Sequence, residues 1–208
     1  GITFVESQAI PKYHPEVQTY EVYRQNQDFV AILYADFFPR ENKQSGAWMT
    51  EYRSQSNIDG EMIRPHISIC TNFSRPTTNK PSLLTFNELT TFLHEFGHAL
   101  HGMLANTVYP SLSGTNVYRD FVELPSQIME NWATEHDWLR TFAFHYETGK
   151  PMPPKLVEKI IDSRNFQAGY LSERQLSFGM LDMAWHTLNQ PFTGDVREFE
   201  QKAMLPVK

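Results

Sequence analysis

The apolar positions of this 208-residue chain change rhythm about a third of the way along. Before that point they come in short aromatic and β-branched runs. Thr19-Tyr20-Glu21-Val22-Tyr23 and Phe29-Val30-Ala31-Ile32-Leu33-Tyr34 read as two strands joined by a turn at Asn26-Gln27-Asp28, and Ile67 to Cys70 reads as a third. Residues 39–46 and 72–81 are polar and contain proline, which marks loops. From residue 83 the spacing becomes helical. Leu89, Phe92, Leu93, Phe96, Leu100, Met103 and Leu104 recur at three- and four-residue steps and form one apolar face. Thr85 and Glu88 have the spacing of a capping box, so this helix is expected to start at Thr85. Further helices are expected over residues 121–146, 154–165, 168–188 and 195–204, with Gly149 and Pro151 separating the first two. The pattern predicts an α+β chain, mainly helical, with a small N-terminal β-sheet followed by a helical core. It is expected to form one domain over residues 1–208, with 1–80 mainly strands and loops and 83–208 helical.

The first helix carries His94-Glu95-Phe96-Gly97-His98. Two imidazoles four residues apart lie one turn apart on the same helix side, close enough to share a metal ion. The glutamate after the first histidine is placed to take a proton from water on that ion, which makes Glu95 the candidate general base. Gly97 is unusual at mid-helix, and a packing or access role would account for it. A catalytic zinc takes three protein ligands and leaves one position open. His101, Asp120, Glu123 and Glu130 are the downstream candidates for the third. Three histidines along one rod surround an ion poorly, whereas a carboxylate from a second helix does so well. Residues 120–132 look like that helix, with Asp120 as its cap and Pro125 in its first turn, and either Glu123 or Glu130 facing the histidines. Asp120, Ser126 and Glu130 are candidates to fix the histidine tautomers.

His94-Glu95-Phe96-Gly97-His98-Ala99-Leu100-His101, then Ser113-Gly114-Thr115-Asn116, then Arg119-Asp120-Phe121-Val122-Glu123 with Pro125-Ser126-Gln127, closely resemble the thimet oligopeptidase and dipeptidyl carboxypeptidase family of zinc metallopeptidases, most of all its bacterial dipeptidyl carboxypeptidase and oligopeptidase A types. The similarity extends over nearly the whole chain, including Gly46-Ala47-Trp48-Met49 and the segment from Leu176 to His186. The resemblance implies His94, His98 and Glu123 as ligands of one Zn2+, Glu95 as general base, and hydrolysis of short peptides with release of C-terminal dipeptides. An endo-acting oligopeptidase, or a zinc-binding domain without activity of its own, are the alternatives. It also implies that oxyanion donors lie in a Gly/Tyr-rich stretch beyond the helix ending near His186. No such stretch occurs here, so the chain is expected to be the central piece of a longer catalytic region. An edge strand across the site is expected near residues 66–72, with His66 beside substrate. Gly46 to Met49 is expected as either a cleft loop or a turn packing Trp48.

Composition narrows the alternatives. Forty per cent hydrophobic residues, 13% of the chain aromatic, fit a packed core. A net charge of −6 without a basic run argues against nucleic acid as a partner. The single cysteine, Cys70, excludes an internal disulfide and reads as a buried strand residue. The absence of an 18-residue apolar run argues against a membrane span, and a cytoplasmic location, with a periplasmic one as the alternative, is the expectation.

Overall fold

Strand β1 (Ile2–Glu6) pairs antiparallel with β2 (Gln18–Arg24), and β2 with β3 (Phe29–Asp36). The turn between β2 and β3 holds Gln27 at φ 68°, as its Asn-Gln-Asp composition suggests. The chain then crosses over to β4 (Trp48–Arg53), makes a small hairpin of β5 (Ser56–Ile58) and β6 (Glu61–Ile63), and returns through β7 (His66–Cys70). The main sheet has the order β1-β2-β3-β7-β4, with β7 parallel to β3 and antiparallel to β4. The computed structural model describes residues 1–204, so the last four positions of the expected domain lie outside the described residues.

The α+β architecture matches the expectation, and several boundaries do not. Strands β1 and β4 are additional to the expected ones; they are the two edges of the main sheet, and neither contains a fully buried residue. The hairpin carries a legible signal, an Asp59-Gly60 pair with both φ positive, which is two-residue turn chemistry. The edge strand is β4, not residues 66–72: β7 is interior, between β3 and β4. Trp48 and Met49 accordingly open an edge strand and belong neither to a flexible loop nor to a turn.

Helix α1 (Phe86–Met103) starts as its capping box dictates, with Thr85 Oγ1 accepting from the Glu88 N–H at 3.2 Å and the Glu88 carboxylate accepting from the Thr85 N–H at 2.7 Å. Ala99 and Met103 on α1 pack with Val22, Leu33, Ile67 and Ile69 of the sheet to form the core. Strand alternation then turns Tyr34, Asp36, His66, Ser68 and Cys70 to the other face of the sheet.

The expected helix over residues 121–146 is broken into short pieces. They are α2 (Arg119–Val122), α3 (Leu124–Glu130), a 3-10 turn (Asn131–Thr134) and α4 (His136–Leu139). The first break has a clear cause. Pro125 has no N–H to continue a ladder from Phe121, so it can sit only in the opening turn of a new helix. Asp120 consequently lies inside α2 and caps nothing. Residues Gly1–Met152 make one unit. A second starts at Pro153 and contains α5 (Pro154–Ser163), α6 (Ala168–His186) and α7 (Val196–Met204). There Trp185 packs on Phe192 and Phe199, at centroid separations of 5.2 and 4.4 Å. Tyr170, Leu171, Phe178 and Met183 of α6 are exposed.

Candidate metal centre

The third turn of α1 faces the break between α2 and α3. Glu123 occupies that break, serving as C-cap of one helix and N-cap of the next. Its Oε2 stands 3.2 Å from His94 Nε2 and 3.1 Å from His98 Nε2. The three residues form the cluster of donors able to hold a metal ion among the described residues. The separations suit that use. Donors at about 2.0–2.1 Å from a tetrahedral ion stand about 3.3 Å apart along the tetrahedron's edges. Two nitrogens and one carboxylate oxygen are also a chemically suitable set for zinc.

His101 does not join them. It turns to Phe121, with ring centroids 6.0 Å apart. Burial, and then the charge of His98, lowers its pKa. Glu130, seven residues beyond Glu123, lies on the other side of the His94 ring, its carboxylate 2.7 Å from Nδ1 and placed to accept from an Nδ1–H. A carboxylate there fixes the imidazole with Nε2 free to face the ion. Of the three residues considered for tautomer control, Glu130 alone meets a histidine. Ser126 bonds Glu123 instead, and Asp120 makes neither contact. His98 Nδ1 is buried with no partner among the described residues.

Glu95 is buried, at 7% exposure, and makes no ion pair among the described residues. Burial pushes its carboxyl above the usual range, and the Glu123 charge adds to this; His94 and the Met49 main-chain N–H act in the opposite direction. Glu123 is held low, first by the Ser126 hydroxyl and then by the two histidines. The two carboxyls are thus shifted in opposite directions. The Met49 amide ties Glu95 to β4, so the edge of the sheet lies beside it. A cleft of about 300 Å³ opens here, lined by Ala47, Thr90, Thr91, His94, Glu95 and Glu130.

His66 is not brought to this centre. It opens β7 opposite Arg53, whereas Met49 pairs with Ile69 farther along the strand. Its ring packs near Tyr34 on the sheet face away from α1, at 6.3 Å. Sequence reasoning missed the Met49 amide, because a main-chain donor has no side-chain signature. The only available hint was the Gly-Ala-Trp-Met string.

Residues 1–203 match the model of peptidase family M3. The chain is 42% identical to a dipeptidyl carboxypeptidase of Escherichia coli over 206 residues, which is 99% of this chain and 30% of that protein. It is 41% identical to oligopeptidase A of the same bacterium, covering 93% of this chain and 29% of the relative. A thimet-like oligopeptidase of Dictyostelium discoideum is 37% identical over 91% of this chain and 29% of its own length. The chain therefore spans under a third of the length of these curated relatives.

Proposed function

The chain belongs to peptidase family M3, and from that premise we propose that it carries the zinc centre and general base of a peptidase acting on short peptides. The observation that carries this reading is the convergence of His94 Nε2 and His98 Nε2 on one Glu123 oxygen, at 3.2 and 3.1 Å, with the buried Glu95 beside them. Three ligands, with no fourth among the described residues, correspond to a catalytic zinc, since a structural site closes the tetrahedron with protein.

A bound zinc ion supplies two things, a lowered pKa for water and polarisation of the scissile carbonyl. The remaining work falls to the chain's own residues. Glu95 accepts the proton of the attacking water and returns it to the leaving amine; burial, which raises its carboxyl, makes it a stronger proton acceptor than an ordinary glutamate. Glu130 holds the His94 ring in one tautomer. The free edge of β4 offers main-chain donors and acceptors to an extended peptide, which would add to the sheet as a further strand. The relatives named dipeptidyl carboxypeptidase and oligopeptidase A support short peptides as substrates. Release of C-terminal dipeptides is the favoured activity, with endo-cleavage by the same machinery as the alternative. No described helix is long and apolar enough to cross a membrane.

The test is elemental analysis of dialysed wild-type and Glu123→Ala protein, followed by mass analysis of peptide products. One zinc per wild-type chain, absent from the variant, is expected, with products shortened by two C-terminal residues. Zinc retained by Glu123→Ala would remove Glu123 from the ligand set; internal cleavage products would favour the endo-acting alternative.

A further inference from the structure

We propose that Gly97 and Ser126 are positioning residues that together fix the stance of the third ligand, Glu123; the inference rests on the metal-centre reading above. Gly97 lies between the two histidine ligands, at mid-helix, where glycine is a poor choice for helix formation. A Cβ at that position would meet Ser126 Cα at 2.5 Å, the Pro125 carbonyl oxygen at 2.6 Å and the Pro125 carbonyl carbon at 2.9 Å. All three are main-chain atoms, so none can rotate aside. The opening turn of α3 is thus seated directly on the bare Cα of Gly97.

Ser126 stands at that contact and is fully buried, at 0% exposure. Its hydroxyl lies 2.9 Å from the Glu123 main-chain oxygen and 2.8 Å from Glu123 Oε2. The first bond is ordinary for a serine three residues into a helix. The second is not, because Oε2 is the oxygen that faces both histidine Nε2 atoms. Gly97 therefore sets the distance between α1 and α3, and Ser126, held at the point of contact, sets the carboxylate against the histidines. The tolerances make this consequential. A methyl at position 97 falls 0.9 Å short of ordinary 3.4 Å contact with Ser126 Cα. Zinc–ligand distances tolerate only about ±0.2 Å. Separating the helices enough to admit the methyl displaces Glu123 beyond that range.

The experiment measures Zn2+ affinity by chelator competition for wild type, Gly97→Ala, Ser126→Ala and a His98→Ala control, alongside thermal unfolding of each metal-free protein. Gly97→Ala is expected to bind about 100-fold more weakly and Ser126→Ala about 10-fold more weakly, the range seen when a group supporting a metal ligand is lost. The metal-free melting midpoint of Ser126→Ala should stay at the wild-type value, which a merely structural role would not allow. If Gly97→Ala fails to fold, Ser126→Ala decides the matter. Wild-type zinc affinity in Ser126→Ala, with binding lost in His98→Ala, overturns the positioning role and leaves the metal centre intact. Absence of binding in wild type overturns both.

Discussion

Two carboxylates are buried on opposite sides of the same sheet, and they are treated in opposite ways. Asp36, at the end of β3, is 2% exposed. Arg40 grips it through both nitrogens at 2.7 and 2.8 Å, Lys43 Nζ donates at 2.9 Å, and the Tyr13 hydroxyl donates at 2.9 Å. Burial alone would raise its pKa; these donors overcome burial and hold the carboxyl at about 2. Lys43 also reaches the main-chain oxygens of Asp36, Phe38 and Thr71, tying the loop after β3 to the end of β7. Glu95, at 7% exposure, has no such cation, and burial raises it. Burial is common to both and so cannot mark the reactive group. The neighbours do: a carboxylate with its lone pairs filled is a fastener, and one left short of donors beside a donor cluster is available for proton transfer.

The largest effect that would test this contrast is on catalysis. Glu95→Gln should leave zinc content unchanged and lower kcat for peptide hydrolysis by about 10²–10⁴-fold or more, the range assigned to a general base. Because burial disfavours the ionised Glu95 carboxylate, the metal-free variant should melt no lower than wild type. A variant that hydrolyses normally would mean that Glu95 is merely buried, like Asp36. The converse substitution, Asp36→Asn, should do the reverse. It leaves Lys43, only 2% exposed in its side chain, without its carboxylate. Breaking a buried pair from one side costs about 3–5 kcal/mol of stability. Chemical denaturation should report that loss while zinc affinity stays at the wild-type value.

Acid provides a gentler version of the second test. The folded pKa of Asp36 is depressed, so its contribution is fully present above the reference value of 3.8 and is lost as the pH falls toward about 2. A displacement of that size corresponds to about 2 kcal/mol. Denaturation curves between pH 5 and pH 2 should show this slope in wild type and lose that share of it in Asp36→Asn. An unchanged slope would show that Asp36 does not govern the acid limb.

The contrast also explains what the sequence revealed and what it hid. Helix α1 was legible in full, because its capping box, its apolar period and its histidine pair are all local signals within one stretch. Strands β2 and β3 are legible from their runs of aromatic and β-branched residues, β3 being buried along nearly its whole length, whereas β4, an edge strand with no fully buried residue, makes sense only beside β7. Spacing could not choose between Glu123 and Glu130, since seven residues is close to two turns and would put both on one face of an unbroken helix. Pro125 breaks the helix at Glu123, and the two carboxylates then reach opposite nitrogens of the same imidazole. The sheet face on which His66 lies is also legible. Ile67 and Ile69 are the apolar positions of β7 that must face α1, so His66, alternating with them, must face away.

The smallest predicted effect falls on the scaffold that both carboxylates share. Thr85→Ala removes the hydroxyl that accepts from the Glu88 N–H, at 3.2 Å, and donates to Glu88 Oε2, at 2.9 Å, while the main-chain N–H of residue 85 still donates to the Glu88 carboxylate. Loss of an N-cap threonine costs about 1 kcal/mol. The change frays only the first turn of α1, whereas His94 sits in the third and is held from outside by Glu130. Stability should therefore fall by that amount with zinc affinity unchanged. Because Thr85 shares no partner with Asp36, the Thr85→Ala and Asp36→Asn losses should add in the double variant to within about 0.5 kcal/mol. A tenfold loss of zinc affinity in Thr85→Ala would show instead that α1 moves as one rigid rod, with its first turn coupled to His94 and His98, and the separation between fastening and chemistry would then end at the helix that carries Glu95.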